Sequence, residues 1–359
     1  MPWVSFKFLI SRLWFLICFY YFGILLFKNK DNINRFMWAY ILPFTVIIFY
    51  TLIMHSQYGF TVDTANWIMS PFYNDHTIYG AILAMFFPIL GYFIYNSQYT
   101  FAQKGISFVF LLIFIIALIF SFTRAAWISL AIAFALGAIM YFKINVRIIG
   151  LVSLIGLGLF FVTKDRILMK LEKNRQDSSS NLTEHVQSIS NISSDASNLE
   201  RINRWSAAIR MFKKHPGVGF GPGTYAFKYA PFQFSYEKTI ISTNAGNKGN
   251  AHSEYIGPLA ESGVLGLITF AAVVIAIFYS GISLYYSMEK GPLRALVLAI
   301  ILGLSTYFIH GFLNNFLDTD KASVPVWGFA AAIVAIQLYH AKSSKSEESV
   351  IKPNTIDSD

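Results

Sequence analysis

The chain has 359 residues, of which 55% are hydrophobic and only 13% are charged. Soluble domains carry about 25% charged residues, so the composition excludes an ordinary soluble protein and indicates one that crosses a membrane several times. The net charge of +9 does not indicate nucleic-acid binding, because the basic residues are scattered over short loops and one long loop rather than gathered in one stripe.

Apolar segments long enough to cross a bilayer recur along the chain. A spanning helix needs about 20 mostly apolar residues, and nine segments qualify, so we expect an all-α, polytopic integral membrane protein with about nine transmembrane helices. The predicted spans are 8–27, 36–54, 77–95, 105–121, 125–142, 146–163, 256–284, 294–312 and 323–340.

The spans divide the chain into four predicted regions. A first bundle is followed by a large polar loop, then by the last helices, and finally by a tail that we expect to be cytoplasmic and disordered. The boundaries are 1–163, 164–255, 256–340 and 341–359.

Lysine and arginine in the short loops predict the orientation, because cytoplasmic loops are enriched in them. The long loop then faces the periplasm and so does the N-terminus, which is awkward for a segment with Lys7 and Arg12 and no cleavable signal pattern. Either helices are missing upstream or the first run does not span. The cytoplasmic cations are Lys28, Lys30, Arg35, Lys104, Lys143, Arg147, Lys290, Arg294, Lys342, Lys345 and Lys352.

With this orientation, the residues that are expensive in lipid collect on the outer side. Arg124 is the clearest example of a residue that is costly in lipid. In "LIFSFTRAAWISLAIAF" it separates two apolar runs with almost no loop. It must extend to the surface or meet an anion, for which a phosphate is a natural partner. The others are Asp63, Asp75, His76, His252, Glu254, His310, Asn314, Asn315 and Asp318, and each alone is equally compatible with a solvated loop end.

The long loop contains one predicted helix. Residues 174–199 are rich in Ser and Asn and indicate a mobile connector or a lid, whereas Trp205, Ala208, Ile209 and Phe212 recur at helical spacing. We therefore expect an amphipathic helix over 200–214, lying along the outer membrane face. Arg201 would face inward, and a cationic flank would face lipid headgroups, unless this is a generic basic interfacial helix. That flank comprises Arg204, Arg210, Lys213 and Lys214.

Two short motifs are set aside. The run "GVGFGPG" at 217–223 lacks the strand and βαβ unit of a dinucleotide site, so we interpret it as a tight turn that passes close to other elements. The run "HSEYI" lacks the second histidine of a helical zinc motif. Lone Cys18 argues against a cysteine-based metal site, and seven scattered histidines do not specify one.

Three motifs in order carry a family resemblance: "TRAAW" opening a helix, "RINRWSAAIRMFKKHPGVGFGPGTY", and "AHSEYIGPLAESGVLG". Over roughly residues 70–340 the chain resembles the O-antigen ligase and polymerase superfamily of bacterial envelope glycosyltransferases. The resemblance implies a GT-C-like, all-helical enzyme of the inner membrane. Such an enzyme transfers a glycan from undecaprenyl diphosphate to an acceptor hydroxyl on the periplasmic side, with no nucleotide sugar, cofactor or required metal.

The resemblance also implies catalytic residues. The family's helix-opening arginine corresponds to Arg124, with Thr123 in place of the usual serine. Its loop arginine corresponds to Arg201, and its histidine to His252, followed by Ser253 instead of the usual asparagine. Family members generally have ten or more helices, so the shorter N-terminal part here leaves the acceptor side open.

The chemistry of a diphosphate leaving group fits these residues. Preorganised arginines stabilise the charge that develops as the diphosphate departs, and a neutral imidazole suits a general base for the acceptor hydroxyl. We therefore predict that Arg124, Arg201 and His252 are catalytic. Glu254 either orients His252 or is solvated in the loop, and Glu261 is expected to pair inside the bundle. The predicted substrate-binding residues are Arg204, Arg210, Glu254, His310, Asp318 and His76.

Four functions remain open at this point. The leading hypothesis is a ligase that joins a lipid-linked glycan to lipid A core or a related acceptor. A polymerase and a protein O-oligosaccharyltransferase use similar chemistry. A non-enzymatic lipid-linked glycan transporter would carry polar residues at several depths, whereas here they gather at one face. The expected partners are the lipid-linked donor, a glycolipid or glycan acceptor and the bilayer, and no nucleic acid.

Overall fold

The protein is all-α over the residues that the computed structural model describes, which are 1–144, 196–237 and 249–341. No β-strand occurs among them, which confirms the predicted fold class. The helices are α1 Pro2–Leu26, α2 Asp31–Tyr58, α3 Val62–Ile68, α4 His76–Tyr95, α5 Phe101–Phe120, α6 Arg124–Tyr141, α7 Ala196–Lys214, α8 Tyr225–Lys228, α9 Ile256–Ser287, α10 Pro292–His310 and α11 Asp320–His340.

Eight of these helices are long and apolar enough to cross a membrane; among the described helices only α3, α7 and α8 are not. They correspond to eight of the nine predicted spans, and most of them begin a few residues before the predicted start. The first run, whose spanning was in question, is a helix of 25 residues. The predicted span 146–163 lies outside the described residues.

Helices α4 and α10 form the centre of the bundle and are its most buried spans along with α11. They approach so closely that a Cβ on Gly303 would stand 2.7 Å from the carbonyl oxygen of Met85. Helix α6 packs on the same pair, where a Cβ on Gly137 would stand 2.9 Å from Leu302. Small residues allow such close helix packing in a membrane. The close contacts fix the positions of α4, α6 and α10 relative to one another.

The N-terminal half of α1 lies beside the glycine-rich run of the long loop. A Cβ on Gly221 would stand 2.8 Å from the Ser5 hydroxyl, and one on Gly223 would stand 2.5 Å from the Phe8 ring. The start of α1 is therefore on the same side of the bundle as the long loop, as the charge pattern predicts. Which compartment that side faces stays a prediction.

Arg12 of α1 has acidic neighbours on that side. Its guanidinium lies over the Phe8 ring at 3.3 Å and interacts electrostatically with Asp318, Glu254 and Glu261. Because nearby carboxylates offset the cost of a cation in an apolar segment, Arg12 does not prevent α1 from crossing a membrane. Sequence reasoning treated this arginine only as an obstacle.

The predicted amphipathic helix is α7, and the face that it buries against the protein shares only Ala208 with the predicted apolar face. Ile209 is exposed, and Trp205 and Phe212 are only partly covered. The buried stripe can include charged residues because Glu200 and Arg204 form an ion pair. The buried residues of α7 are Glu200, Asn203, Arg204, Ala207, Ala208 and Met211. That the helix lies along the outer membrane face stays a prediction.

Candidate active site

Polar residues from separate segments meet at one end of the bundle. The charge of Arg201 acts on Arg124, on His252 and on His310, although these residues lie far apart in sequence. The carboxylate of Asp75 acts on Arg201 and on both histidines. The structure thus brings together all three residues predicted to be catalytic, and Asp75 with them.

Arg124 is held where two helices begin. The Thr123 hydroxyl donates to the His76 carbonyl oxygen at 2.9 Å, and Gly80 leaves no room for a Cβ, which would be 2.6 Å from Thr123. The first residues of α4 and α6, His76 and Arg124, are therefore neighbours. Because helix N-termini carry partial positive charge, this junction favours an anion before any side chain is counted.

Asp75 fixes the start of α4 and also contributes charge to the site. Its carboxylate accepts from the backbone N–H groups of Thr77 and Ile78 at 2.7 and 3.2 Å, which makes it an N-cap. Burial lowers the pKa of Arg201, and the Asp75 carboxylate opposes that shift. Sequence reasoning placed Asp75 on the outer side without a role, although an aspartate one residue before a helix is a recognisable capping signal.

His252 is held by its backbone in an uncommon conformation. Its φ of 47° lies in the left-handed region, which is unfavourable for most residues. Its N–H donates to Asn250 Oδ1 at 3.0 Å, and its carbonyl oxygen accepts from Trp205 Nε1 at 3.3 Å. Trp205 of α7 therefore positions His252, a role that its place on a predicted apolar face did not reveal.

The surroundings of His252 keep its imidazole neutral. Burial, reinforced by the positive charges of Arg201 and Arg204, lowers the pKa of His252 to about 4, and the carboxylates of Glu200 and Asp75 oppose this only in part. The imidazole is therefore unprotonated at neutral pH, which is the state in which it can accept a proton.

Two arginines predicted to flank the site are engaged within the protein. Arg204 is buried, with Nε 2.6 Å from Glu200 Oε1 and its guanidinium 4.0 Å from the Tyr229 ring centroid. Arg210 forms a two-pronged ion pair with Glu237, one prong being 2.9 Å. The prediction that Arg204 faces lipid headgroups is wrong, because Glu200 one turn earlier neutralises it inside the protein. A substrate-binding role for either arginine stays a prediction.

Glu254 is buried and connects two segments of the chain. Its Oε1 atom accepts from the Tyr307 hydroxyl at 2.6 Å and from the N–H groups of Phe316 and Leu317 at 2.7 and 2.9 Å. The interpretation of Glu254 as a solvated loop residue is therefore wrong. It joins the segment before α9 to the segment after α10, and its predicted part in substrate binding is untested.

Replacing Glu254 with alanine is expected to destabilise the protein. Three buried donors would lose their acceptor, at roughly 1–3 kcal/mol each, so thermal unfolding in detergent should show a clear fall in midpoint. Glu254→Gln is the matched control, because its amide oxygen keeps an acceptor in place and burial already raises the pKa of Glu254 to about 7. Normal stability of Glu254→Ala with lost transfer would instead indicate direct contact with substrate.

The glycine-rich run wraps around a break in α9. Gly263 leaves the helical conformation, with φ 66° and ψ −157°. Two residues earlier, the Glu261 carboxylate accepts from the N–H groups of Gly223 and Tyr225 at 2.8 and 2.9 Å, and the Glu261 carbonyl oxygen accepts from the N–H of Gly221 at 2.7 Å. The run is thus a tight turn in close contact with other elements, as predicted, and Glu261 is paired inside the protein.

The two remaining candidates lie in different places. His310 is buried at the end of α10, its Nε2 2.9 Å from Asn314 Nδ2, and it shares the electrostatic surroundings of Arg201. Because the Asn314 amide donates, Nε2 accepts and the ring proton is on Nδ1, which is buried with no hydrogen-bond partner among the described residues. Asp318 is exposed and interacts with Arg12 instead.

No metal site stands out from this arrangement. Among residues 1–144, 196–237 and 249–341, no group of three or more His, Cys, Asp or Glu side chains is placed to hold a metal ion. The cations of the site are arginines, which can bind an anionic group directly through paired N–H donors.

Part of the chain is similar to a known protein family. The family model described as O-antigen ligase matches residues 108–271, from within α5 to the middle of α9. The matched range contains Arg124, Arg201 and His252. No protein of curated function matches the chain. The protein is therefore a membrane protein in which residues 108–271 are similar to the O-antigen ligase family.

Proposed function

We propose that the protein is a ligase-type glycosyltransferase that moves a glycan from undecaprenyl diphosphate to an acceptor hydroxyl at the periplasmic face of the bacterial inner membrane. The observation that carries the proposal is the neutral His252 beside Arg201, whose charge also acts on Arg124 at the start of α6. The match to the family model supports the reaction class, which covers ligases and polymerases. The donor and the acceptor belong to the proposal.

In the proposed reaction the acceptor oxygen bonds to the anomeric carbon as the bond from that carbon to the diphosphate oxygen breaks. His252 takes the proton of the acceptor hydroxyl. Arg124 and Arg201 bind the diphosphate, and their charge stabilises it more strongly as it becomes a leaving group. The starts of α4 and α6 add partial positive charge at the same place. No step needs a bound metal.

The low pKa of His252 is consistent with a base that becomes effective only when an anion is bound. An imidazole with a pKa of about 4 is a weak base. A bound diphosphate would offset the arginine charges that help to depress this pKa, so the imidazole becomes more basic when the donor is present. The donor would thereby activate the base.

The pH dependence of transfer tests this. A base must be neutral, so activity falls as pH drops through its pKa. We expect kcat/KM, which reports the free enzyme, to stay level well below pH 6.5, the usual pKa of histidine. We expect the acid limb of kcat, which reports the donor complex, at a higher pH. The measurement is kcat and kcat/KM for purified lipid-linked donor over about pH 4 to 8. Coincident limbs, or a kcat/KM limb at 6.5 or above, would contradict the argument.

The placement of the polar residues favours an enzyme over a transporter. A transporter exposes polar groups at several depths of the bundle. Here His76, Arg124, His252 and His310 all lie at helix ends or in the preceding segment, on one side. Such an arrangement suits a reaction at the membrane surface.

The experiment that tests the function measures lipid-linked glycan in cells. A strain lacking the gene is complemented with the wild type, with His252→Ala or with an empty vector, and the chain length of undecaprenyl-linked glycan is determined. Accumulation of long polymer in the second and third arms is expected for a ligase. Accumulated single repeats would replace the ligase with a polymerase, and unchanged lipid-linked glycan in all arms would overturn both.

A further inference from the structure

A groove lies at the opposite end of the bundle from the candidate active site. It has a volume of about 540 Å³ and runs between α2 and α5, near where both helices begin. Because α1 and α4 each begin on the active-site side and cross the bundle, the starts of α2 and α5 are on the other membrane face. The proposed reaction does not use this groove.

The lining of the groove changes from polar to apolar along its length. On α2, Asn34 and Arg35 precede Leu42 by about two helical turns, and on α5 Gln103 precedes Ile106 and Phe110. At 1.5 Å per residue, the α2 stripe extends about 12 Å into the membrane. The groove thus has a polar mouth at the membrane surface and an apolar interior at acyl-chain depth, which matches an amphiphile rather than a water-soluble molecule.

The inner part of the groove is rigid. The Trp38 ring stacks on Phe93 with centroids 5.0 Å apart and meets the edge of Phe110 at 5.4 Å. Phe93 in turn stacks on Tyr99 at 5.7 Å. This aromatic cluster joins α2, α4 and α5 behind the groove, so the apolar surface is preformed and does not need a ligand to create it.

The mouth of the groove presents an arginine on a membrane face that is rich in cations. Arg35 is exposed, and one prong of its guanidinium is 3.1 Å from Asn32 Oδ1. One carboxylate, Asp31, also lines the mouth. Three lysines close in sequence to the lining residues, but not among them, make cations outnumber carboxylates on this membrane face, namely Lys28, Lys30 and Lys104. A planar guanidinium binds phosphate oxygens in pairs, so the mouth favours an anionic headgroup.

One buried polar atom also points to a ligand. Asn34 lines the groove, and its Oδ1 atom is buried with no hydrogen-bond partner among the described residues. A buried acceptor without a donor costs about 1–3 kcal/mol. A lipid headgroup that carries hydroxyl groups beside its phosphate would supply that donor.

We propose that this groove binds an anionic phospholipid with a hydroxylated headgroup, taken from the leaflet opposite the candidate active site. Its phosphate is bound by Arg35, a headgroup hydroxyl donates to Asn34, and one acyl chain lies along Leu42, Ile106 and Phe110. The lipid joins α2 to α5 and makes the protein sensitive to the composition of that leaflet.

The test is lipid retention by the purified full-length protein. Protein in mild detergent is incubated with phosphatidylglycerol, with phosphatidylethanolamine of the same acyl chains, or with inorganic phosphate, and bound lipid is counted by native mass spectrometry. We expect one phosphatidylglycerol to be retained preferentially. We expect Arg35→Gln to weaken retention about tenfold, because a charge-assisted pair is lost. Ile106→Trp should weaken it by filling the apolar end without changing charge.

Arg294→Gln is the matched control, since Arg294 is an arginine near the start of α10 on the same membrane face but outside the groove. It should retain phosphatidylglycerol as the wild type does. Equal losses in the Arg35 and Arg294 variants would overturn the proposal in favour of diffuse surface attraction. Equal retention of both lipids, or displacement of phosphatidylglycerol by inorganic phosphate, would also overturn it. None of these outcomes depends on the proposed glycan transfer.

Discussion

Replacing His252 with alanine is expected to abolish glycan transfer while leaving the protein in the membrane at its normal level. General-base catalysis contributes about 10² to 10⁴ in rate, and alanine cannot accept the proton of the acceptor hydroxyl. Trp205 of α7 holds the His252 backbone, so removal of the imidazole leaves that contact in place, along with the close contacts among α4, α6 and α10. The measurement is transfer of glycan from lipid-linked donor by purified enzyme, with abundance determined in the same membranes.

The backbone of His252 calls for a second variant. Its φ of 47° is unfavourable for alanine, whereas asparagine tolerates the left-handed region. His252→Asn therefore keeps the backbone while removing the base, and it should be as inactive as His252→Ala. Recovery of activity in the asparagine variant would show that the alanine defect came from the loop. Wild-type activity in both would remove His252 as the base.

Replacing Arg124 with lysine is expected to impair transfer severely although the charge is kept. Lysine is a point charge on a flexible stem and cannot offer the paired, planar donors that bind a diphosphate. Loss of one preorganised donor to a developing oxyanion lowers kcat by about 10² to 10³, and the charge retained by lysine should recover part of that. The measurement is kcat and KM for the lipid-linked donor, with kcat expected to fall more.

Arg294→Lys provides the control for this substitution. Arg294 donates to the Met288 carbonyl oxygen at 3.2 Å and lies 4.3 Å from the Tyr285 ring, on the opposite membrane face. The same chemical change there should leave transfer unaltered. If Arg124→Lys kept full activity, Arg124 would be a determinant of topology, one that holds the start of α6 at the membrane surface, and the diphosphate would need another partner.

Most of the fold was predictable because hydropathy alone identifies spanning helices. Segments 77–95 and 294–312 were identified as spans without any knowledge of their packing, and they became the central α4 and α10. That they are central was not predictable, because a helix buried in protein and one facing lipid are both apolar. Close contacts at Gly303 and Gly137 show which helices are central, and these contacts depend on which helices are neighbours.

The sequence indicated the candidate residues, whose catalytic roles stay predictions, but not the residues that hold them in place. Arg124, Arg201 and His252 were singled out from motifs and polarity. The partners of Glu254 lie 53 to 63 residues away in sequence, so no local pattern could reveal them. The pairing of Arg204 with Glu200 was visible in principle, since the two are four residues apart and opposite in charge.

The contacts of α1 with the glycine-rich run have a consequence for engineering. The range matched by the family model, 108–271, contains the proposed catalytic residues but not the surroundings that hold them. Ser5 and Phe8, which precede the matched range, contact the glycine-rich turn that Glu261 binds. Tyr307, which follows the matched range, donates a hydrogen bond to Glu254. Swapping that range between relatives would therefore transplant the reactive groups without their scaffold. A functional chimera would have to exchange α1 and the α10–α11 connection along with it.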